Sequence, residues 1–104
     1  MLFVETPVFT RLVTEALNDA EYAAFQQSLA DRPDAGSVVE GGAGIRKVRW
    51  AMHGTGKRGG LRVIYYWRTA EDQIYLLYLF SKNARSDLTQ AQIRQLAEAA
   101  RALK

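Results

Sequence analysis

The sequence predicts a small α+β domain in which the helices pack on one face of a largely antiparallel sheet. Apolar residues recur at helical spacing near both ends of the chain, and segments rich in β-branched and aromatic residues lie between them. Helices grouped beside consecutive strands are typical of this class rather than of an alternating α/β fold. The length of 104 residues suits a single domain over residues 1–104 that buries its own core. The predicted order is β-α-α-β-β-β-α.

The helices are predicted from their capping residues and from apolar spacing. Thr6 is a good N-cap and Pro7 fits the first helical position, whereas Asn18 can cap a second helix. Thr89 and Gln92 have the spacing of a capping box. The predicted helices cover Pro7–Leu17, Ala20–Ala30 and Gln90–Leu103. The first of them is expected to bury Val8, Leu12 and Leu17.

The strands are predicted from runs of β-branched and aromatic residues that end at turn residues. Four such runs occur, at Leu2–Glu5, Ile45–Trp50, Leu61–Arg68 and Gln73–Ser81. Thr69–Asp72 is a tight connection, so the last two strands should form an antiparallel hairpin. His53–Gly60 is a glycine-rich basic loop.

Positive charge is concentrated in one part of the chain. Residues 41–70 contain seven basic and no acidic residues, whereas residues 1–40 have a net charge of −5. Like charges so close together repel each other, and a polyanion relieves that repulsion. The block therefore favours a phosphate-bearing partner. The alternative is a solvated basic hairpin without a ligand.

Side-chain alternation places part of this charge on one sheet face. Lys47 and Arg49 share a face of their strand, and Arg62 and Tyr66 share a face of the next. We expect these faces to coincide on the side that the helices leave uncovered, where cations could hold the phosphates of single-stranded RNA. Tyr66 could stack on a base or act in packing only. Further candidate RNA-binding residues are Arg46, Lys57, Arg58 and Arg85.

Composition removes several classes of chemistry. The chain has no cysteine, and its one histidine, His53, lies in a glycine-rich loop without a nucleophile elbow. No recognised metal-ligand spacing occurs, and Gly41–Gly44 lacks the lysine of a phosphate loop. We expect no metal, no cofactor and no membrane segment, and a cytoplasmic location.

A cationic site remains, and such a site can cleave RNA by stabilising attack of a 2′-hydroxyl on its own phosphate. A lysine crowded by other cations is a candidate acid–base group for this reaction.

Five segments together resemble one family. They are Phe3–Thr6, Tyr22–Phe25, Gly44–Arg49, Gly56–Tyr66 and Lys82–Leu88. In their order and spacing they resemble the RelE/ParE superfamily, and most closely its HigB-like branch. The resemblance implies a toxin of a type II toxin–antitoxin system that inhibits translation by ribosome-dependent mRNA cleavage. It also implies two partners, a HigA-like antitoxin with a helix-turn-helix domain and the ribosome with mRNA in its A site.

The resemblance also implies site residues. Four positions match catalytic basic residues of the family: Lys47, Arg49, Arg62 and Lys82. The best-known members carry a second arginine where this chain has Asn83, and a tyrosine where it has Thr89. The general acid and base are therefore not assigned by the resemblance.

Two other functions fit the same fold, because fold alone does not determine function. One is a ParE-like inhibitor that binds DNA gyrase, and the other is an RNA-binding module without catalysis. The basic block favours RNA over a purely protein-binding inhibitor.

Overall fold

The computed structural model describes residues 1–51, 60–82 and 87–103. Its strands are β1 (Leu2–Glu5), β2 (Ser37–Val38), β3 (Arg46–Trp50), β4 (Leu61–Arg68) and β5 (Gln73–Ser81). Its helices are α1 (Pro7–Ala16), α2 (Asp19–Asp31) and α3 (Gln90–Ala102). One mixed sheet has the strand order β1-β5-β4-β3-β2. The predicted α+β class is confirmed, and the predicted order holds apart from the additional strand β2.

The predicted helix caps are confirmed. The Thr6 hydroxyl accepts a hydrogen bond from the backbone N–H of Phe9 at 3.0 Å. Asn18 and Glu21 form a reciprocal capping box at the start of α2, and Thr89 begins a second one at the start of α3. Each cap satisfies backbone donors that the first helical turn leaves without a partner. The three helix starts are therefore encoded locally.

Strand β4 is the centre of the sheet and runs antiparallel to both neighbours, whereas β1 runs parallel to β5. The β4–β5 pairing contains an irregularity, because Ile64 lies opposite Tyr78 and the next residue of β4 lies opposite Leu76. Leu77 is therefore an extra residue in β5, as in a β-bulge. The carbonyl oxygen of Leu77 accepts a hydrogen bond from the Thr6 hydroxyl at 3.0 Å.

The helices lie on both faces of the sheet, which corrects the prediction of helices on one face. The core under α1 and α2 includes Phe9, Val13, Leu17, Phe25, Leu29, Val63, Tyr65 and Leu76. A second core on the opposite face brings Ala100 and Leu96 of α3 against Ile64, Leu77 and Phe80. Strand β5 is apolar at nearly every position, so both of its faces need cover.

Two smaller expectations are also corrected. Val8 is 44% exposed, because the face of α1 that meets the sheet runs through the fully buried Phe9 and through Val13, four residues later. Strand β2 was not predicted, because a strand of two exposed residues has too short a pattern to detect. Leu17 is buried as expected.

The connection between α2 and β2 is fastened to the core by Tyr65. The fully buried Tyr65 hydroxyl donates to the carbonyl oxygen of Pro33 at 2.6 Å and accepts from the N–H of Gly36 at 2.9 Å. A Cβ at Gly36 would lie 2.8 Å from the tyrosine ring, so only glycine fits this approach. Burial raises the pKa of Tyr65, which keeps the hydroxyl protonated as a donor.

The Tyr65 contacts predict a specific loss of stability. Tyr65→Phe should lower the free energy of unfolding by about 1–3 kcal/mol, because it leaves the backbone groups of Pro33 and Gly36 without their partner. Urea denaturation measures this loss. In the control Tyr75→Phe, a partly exposed hydroxyl that donates to Gln73 is removed, and the loss should be smaller. Equal losses in the two variants would contradict this account of the connection.

Candidate functional site

Three cations share one face at one end of the sheet. Arg49 of β3 lies directly opposite Arg62 of β4, and Lys47 lies opposite Ile64 on the same face. We call Lys47, Arg49 and Arg62 the basic face. Directly opposite residues of an antiparallel pair have Cβ atoms about 4.5–5.5 Å apart, so the two arginines leave the sheet side by side. The faces predicted from side-chain alternation are therefore confirmed for these three residues.

The basic face is less open than expected. Only Arg49 is exposed, whereas the Lys47 side chain is 30% exposed and Arg62 is 8% exposed. The expectation of an uncovered face is wrong at Arg62, because the second core under α3 includes Phe80, the residue opposite Arg62 in β5. Arg62 therefore lies at the edge of a packed core, whereas Arg49 faces solvent.

A carboxylate that the sequence analysis did not select lies against the basic face. The Lys47 ammonium donates to Asp87 Oδ1 at 2.9 Å. The hydrogen bonds from Lys47 and from the N–H of Leu88 hold the pKa of Asp87 below its usual range, with burial acting in the opposite direction. The positive charges of Lys47 and Arg62 lower this pKa further. Asp87 is therefore an anion at neutral pH.

Glycine brings the ends of three strands together beside the basic face. Gly60, directly before β4, has φ +63°, and a Cβ there would lie 2.3 Å from the carbonyl oxygen of Trp50. The carbonyl oxygen of Gly60 accepts a hydrogen bond from the N–H of Lys82 at 3.4 Å. Lys82 is exposed and follows β5 at the end of the sheet where Arg62 lies. Lys82, a candidate from the sequence, therefore lies at the same end of the sheet as Arg62.

Two further candidates lie within the described residues, one on each face of the sheet. Arg46 is on the opposite face, where its guanidinium donates to the carbonyl oxygens of Gly36 at 2.7 Å and Asp34 at 3.3 Å. Tyr66 is half-buried and packs against the second core, in agreement with the alternative role in packing. Three candidates lie outside the described residues: Lys57, Arg58 and Arg85.

Within residues 1–51, 60–82 and 87–103, no three or more His, Cys, Asp or Glu side chains are grouped so that they could hold a metal ion. No helix in the same ranges combines the length and the apolar character that a membrane span requires. A cleft of about 290 Å³ between α1, β5 and α3 is lined by Val8, Leu77 and Leu96 among others, and it includes none of the basic face.

A small α+β protein that gathers cations at one end of its sheet has a surface suited to a polyanion. The family model described as "RelE toxin of RelE / RelB toxin-antitoxin system" matches residues 5–104. The chain therefore belongs to the RelE toxin family. It is a toxin of a toxin–antitoxin system, and its partner is an antitoxin. Toxins of this family are generally ribonucleases.

The opposed arginines predict a gain in stability when one charge is removed. Arg49→Gln should raise the free energy of unfolding by about 0.2–0.5 kcal/mol at low salt, because like charges directly opposite each other destabilise a sheet. The gain should shrink near 1 M salt, where the Debye length is about 3 Å. Urea titrations at both salt concentrations measure it, with Arg11→Gln on exposed α1 as the control. A salt-independent loss of stability in Arg49→Gln would show that the arginines do not repel each other appreciably.

Proposed function

We propose that this toxin is a ribosome-dependent endoribonuclease of the HigB-like branch that cleaves mRNA in the A site of the ribosome. The observation that carries the proposal is the basic face, in which Arg49 stands directly opposite Arg62 and beside Lys47. Family membership supports ribonuclease chemistry, and the resemblance of segments such as Gly56–Tyr66 supports the HigB-like branch.

The proposed reaction is an internal transfer at one phosphate of the RNA. The 2′-oxygen forms a bond to the adjacent phosphorus while the bond from phosphorus to the 5′-oxygen breaks. The proton of the 2′-hydroxyl passes to an acceptor, and the departing 5′-oxygen gains a proton, so a cyclic phosphate and a free 5′-hydroxyl result. The phosphorus centre carries additional negative charge in the transition state. Fixed cations stabilise that charge without needing to reorganise.

The three cations of the basic face and the neighbouring Lys82 have different roles in the proposed reaction. Arg62 is 8% exposed at the edge of the second core, and in this proposal its charge acts on a non-bridging phosphate oxygen from a position that packing restricts. The exposed Arg49 contacts the same phosphate or its neighbour, and Lys47 adds a compact charge beside them. Lys82 is placed to meet the RNA backbone from the end of β5.

The ribosome supplies what a small sheet face does not. In-line attack requires the 2′-oxygen, the phosphorus and the leaving oxygen to be aligned, and alignment is a large part of the rate enhancement in such reactions. Lys47, Arg49 and Arg62 can hold phosphate charge, but a surface with one short row of cations does not bend an RNA strand into that geometry. We propose that mRNA is already bent and fixed in the A site when the toxin meets it.

For the antitoxin we propose a HigA-like protein with a helix-turn-helix domain, which neutralises the toxin by direct binding. The support for this partner is the resemblance to the HigB-like branch, together with membership of a toxin–antitoxin family.

Removing a cation of the basic face should slow mRNA cleavage, because each of them is proposed to act on the phosphate. Arg49→Ala and Lys47→Ala should each slow mRNA cleavage by about a hundredfold to a thousandfold, as expected for loss of one donor to a developing negative charge. Growth inhibition and mapping of mRNA 5′ ends after brief induction measure the effect. Arg11→Ala is the control of equal charge. A soluble, folded Arg49→Ala protein with full toxicity would refute the assignment. Gyrase inhibition without new mRNA ends would favour the ParE-like alternative.

Purified toxin should cleave mRNA efficiently only when ribosomes are present. The reason is that alignment of the attacking 2′-oxygen is supplied by the ribosome and not by the basic face. The measurement compares cleavage rates of one mRNA alone, with vacant ribosomes and within translating complexes. Equal rates and equal cleavage patterns on naked mRNA would be inconsistent with ribosome dependence. Binding without cleavage in all three cases would favour the RNA-binding module.

A further inference from the structure

Asp87 places a negative charge where the proposed function needs positive charge. Its Oδ1 atom lies 2.9 Å from the Lys47 ammonium, and the two residues are 40 positions apart in the chain. The Asp87 side chain is 60% exposed and the Lys47 side chain is 30% exposed. An ion pair this exposed adds little to the stability of a fold. Stability alone is therefore a weak explanation for an acid at this position.

The Asp87 carboxylate is also held by the residues that follow it in the chain. Its Oδ1 atom also accepts the N–H of Leu88 at 2.8 Å, and Leu88 packs against the second core. Thr89 follows and caps α3 through Gln92. The position of Asp87 therefore does not depend on the ion pair with Lys47 alone, because the residues that follow Asp87 anchor it to α3.

We propose that Asp87 is an internal competitor for the RNA phosphate at Lys47, and that it lowers the affinity of the toxin for free RNA. The proposal rests on the proposed function. A phosphate oxygen and the Asp87 carboxylate would both be attracted to the same ammonium, and they repel each other. Lys47 has three donors and can contact both anions, so the competition is for positive charge more than for a single hydrogen bond.

This competition gives a physical basis for selectivity toward presented mRNA. A free strand gains little from Lys47, because the charge of Asp87 already offsets it. A strand that the ribosome holds in place does not depend on Lys47 for binding, so it tolerates the carboxylate. Asp87 thus weakens nonspecific binding more than it weakens binding to mRNA in the A site.

The test measures affinity for a short single-stranded RNA whose 2′-hydroxyls are methylated, so that cleavage does not interfere. Asp87→Asn keeps an oxygen that can accept the Leu88 N–H while removing the charge. We expect this variant to bind the RNA about two- to fivefold more tightly at low salt, the range expected for an exposed ion pair. The slope of log affinity against log salt should become steeper by up to about 0.7, because one more phosphate charge is neutralised.

Two controls separate competition from a general change in charge. Glu71→Gln removes the same charge from the turn between β4 and β5, at the opposite end of β4 from Arg62, and should leave the affinity nearly unchanged. In the Lys47→Ala background, Asp87→Asn should have less effect than in the wild type, because the cation in direct contact with Asp87 is gone and only the longer-range effect of Arg62 remains. Circular dichroism checks the fold, and Asp87→Ser serves as a second variant that retains a short acceptor.

The outcomes distinguish this proposal from the proposed function. Unchanged or weaker RNA binding by both folded Asp87 variants, while Lys47→Ala still reduces binding, overturns the competition and indicates that Asp87 positions Lys47. An equal gain in the Lys47→Ala background also overturns it. No detectable RNA binding by any variant, Asp87→Asn included, overturns the competition and leaves the proposed function to the cleavage assay on ribosomes. RNA binding that is insensitive to both Lys47→Ala and Arg49→Ala overturns the proposed use of the basic face, and the competition with it.

Discussion

Strand β4 is buried on both faces from Leu61 to Tyr65, and this double burial is the constraint on which the rest of the structure depends. Its side chains alternate between the core under α1 and α2 and the core under α3. A slip of one residue would send every side chain to the wrong core, so the register is strongly determined. The position of Arg62 follows from this packing, and through cross-strand pairing so does the position of Arg49 beside it.

Charge and packing therefore act against each other at the end of β4. A guanidinium that is 8% exposed has lost most of its water, and a second guanidinium is its direct neighbour across the strands. A like charge directly opposite is unfavourable for the fold, whereas the nearby anionic Asp87, whose pKa Arg62 helps to lower, acts in the opposite direction. In the proposed function, a cation that is already desolvated and fixed can meet a phosphate without being reorganised.

The sequence predicted the parts of the fold that depend on local signals. Thr6, Asn18 and Thr89 mark the helix starts, and strand alternation correctly paired Lys47 and Arg49 with Arg62 on one face. Alternation relates side chains within a strand, but it does not reveal which element covers each face. The prediction that α3 packs on the same face as α1 and α2 was therefore wrong. The apolar character of β5 nevertheless indicates that both faces of the sheet are covered.

The candidate site was predictable to a similar extent. Lys47, Arg49 and Arg62 could be found from the sequence, because residues 41–70 contain seven basic and no acidic residues. Asp87 could not be found in this way, because its contact with Lys47 joins segments that no local pattern connects. Arg46 shows the limit of charge density as a guide to which residues share a face. Its charge grouped it with the other cations, but alternation turned it to the opposite face, where it binds backbone carbonyls before β2.

The extra residue in β5 has a consequence for how the molecule opens. The Thr6 hydroxyl accepts from the first turn of α1 and donates to the carbonyl oxygen of Leu77 in the irregularity, so one side chain joins a helix start to the middle of the sheet. Helix ends usually open at a low free-energy cost. Here fraying that displaces Thr6 also removes a partner from Leu77, so the backbone amide of Phe9 should exchange its hydrogen more slowly than the same amide in Thr6→Ala.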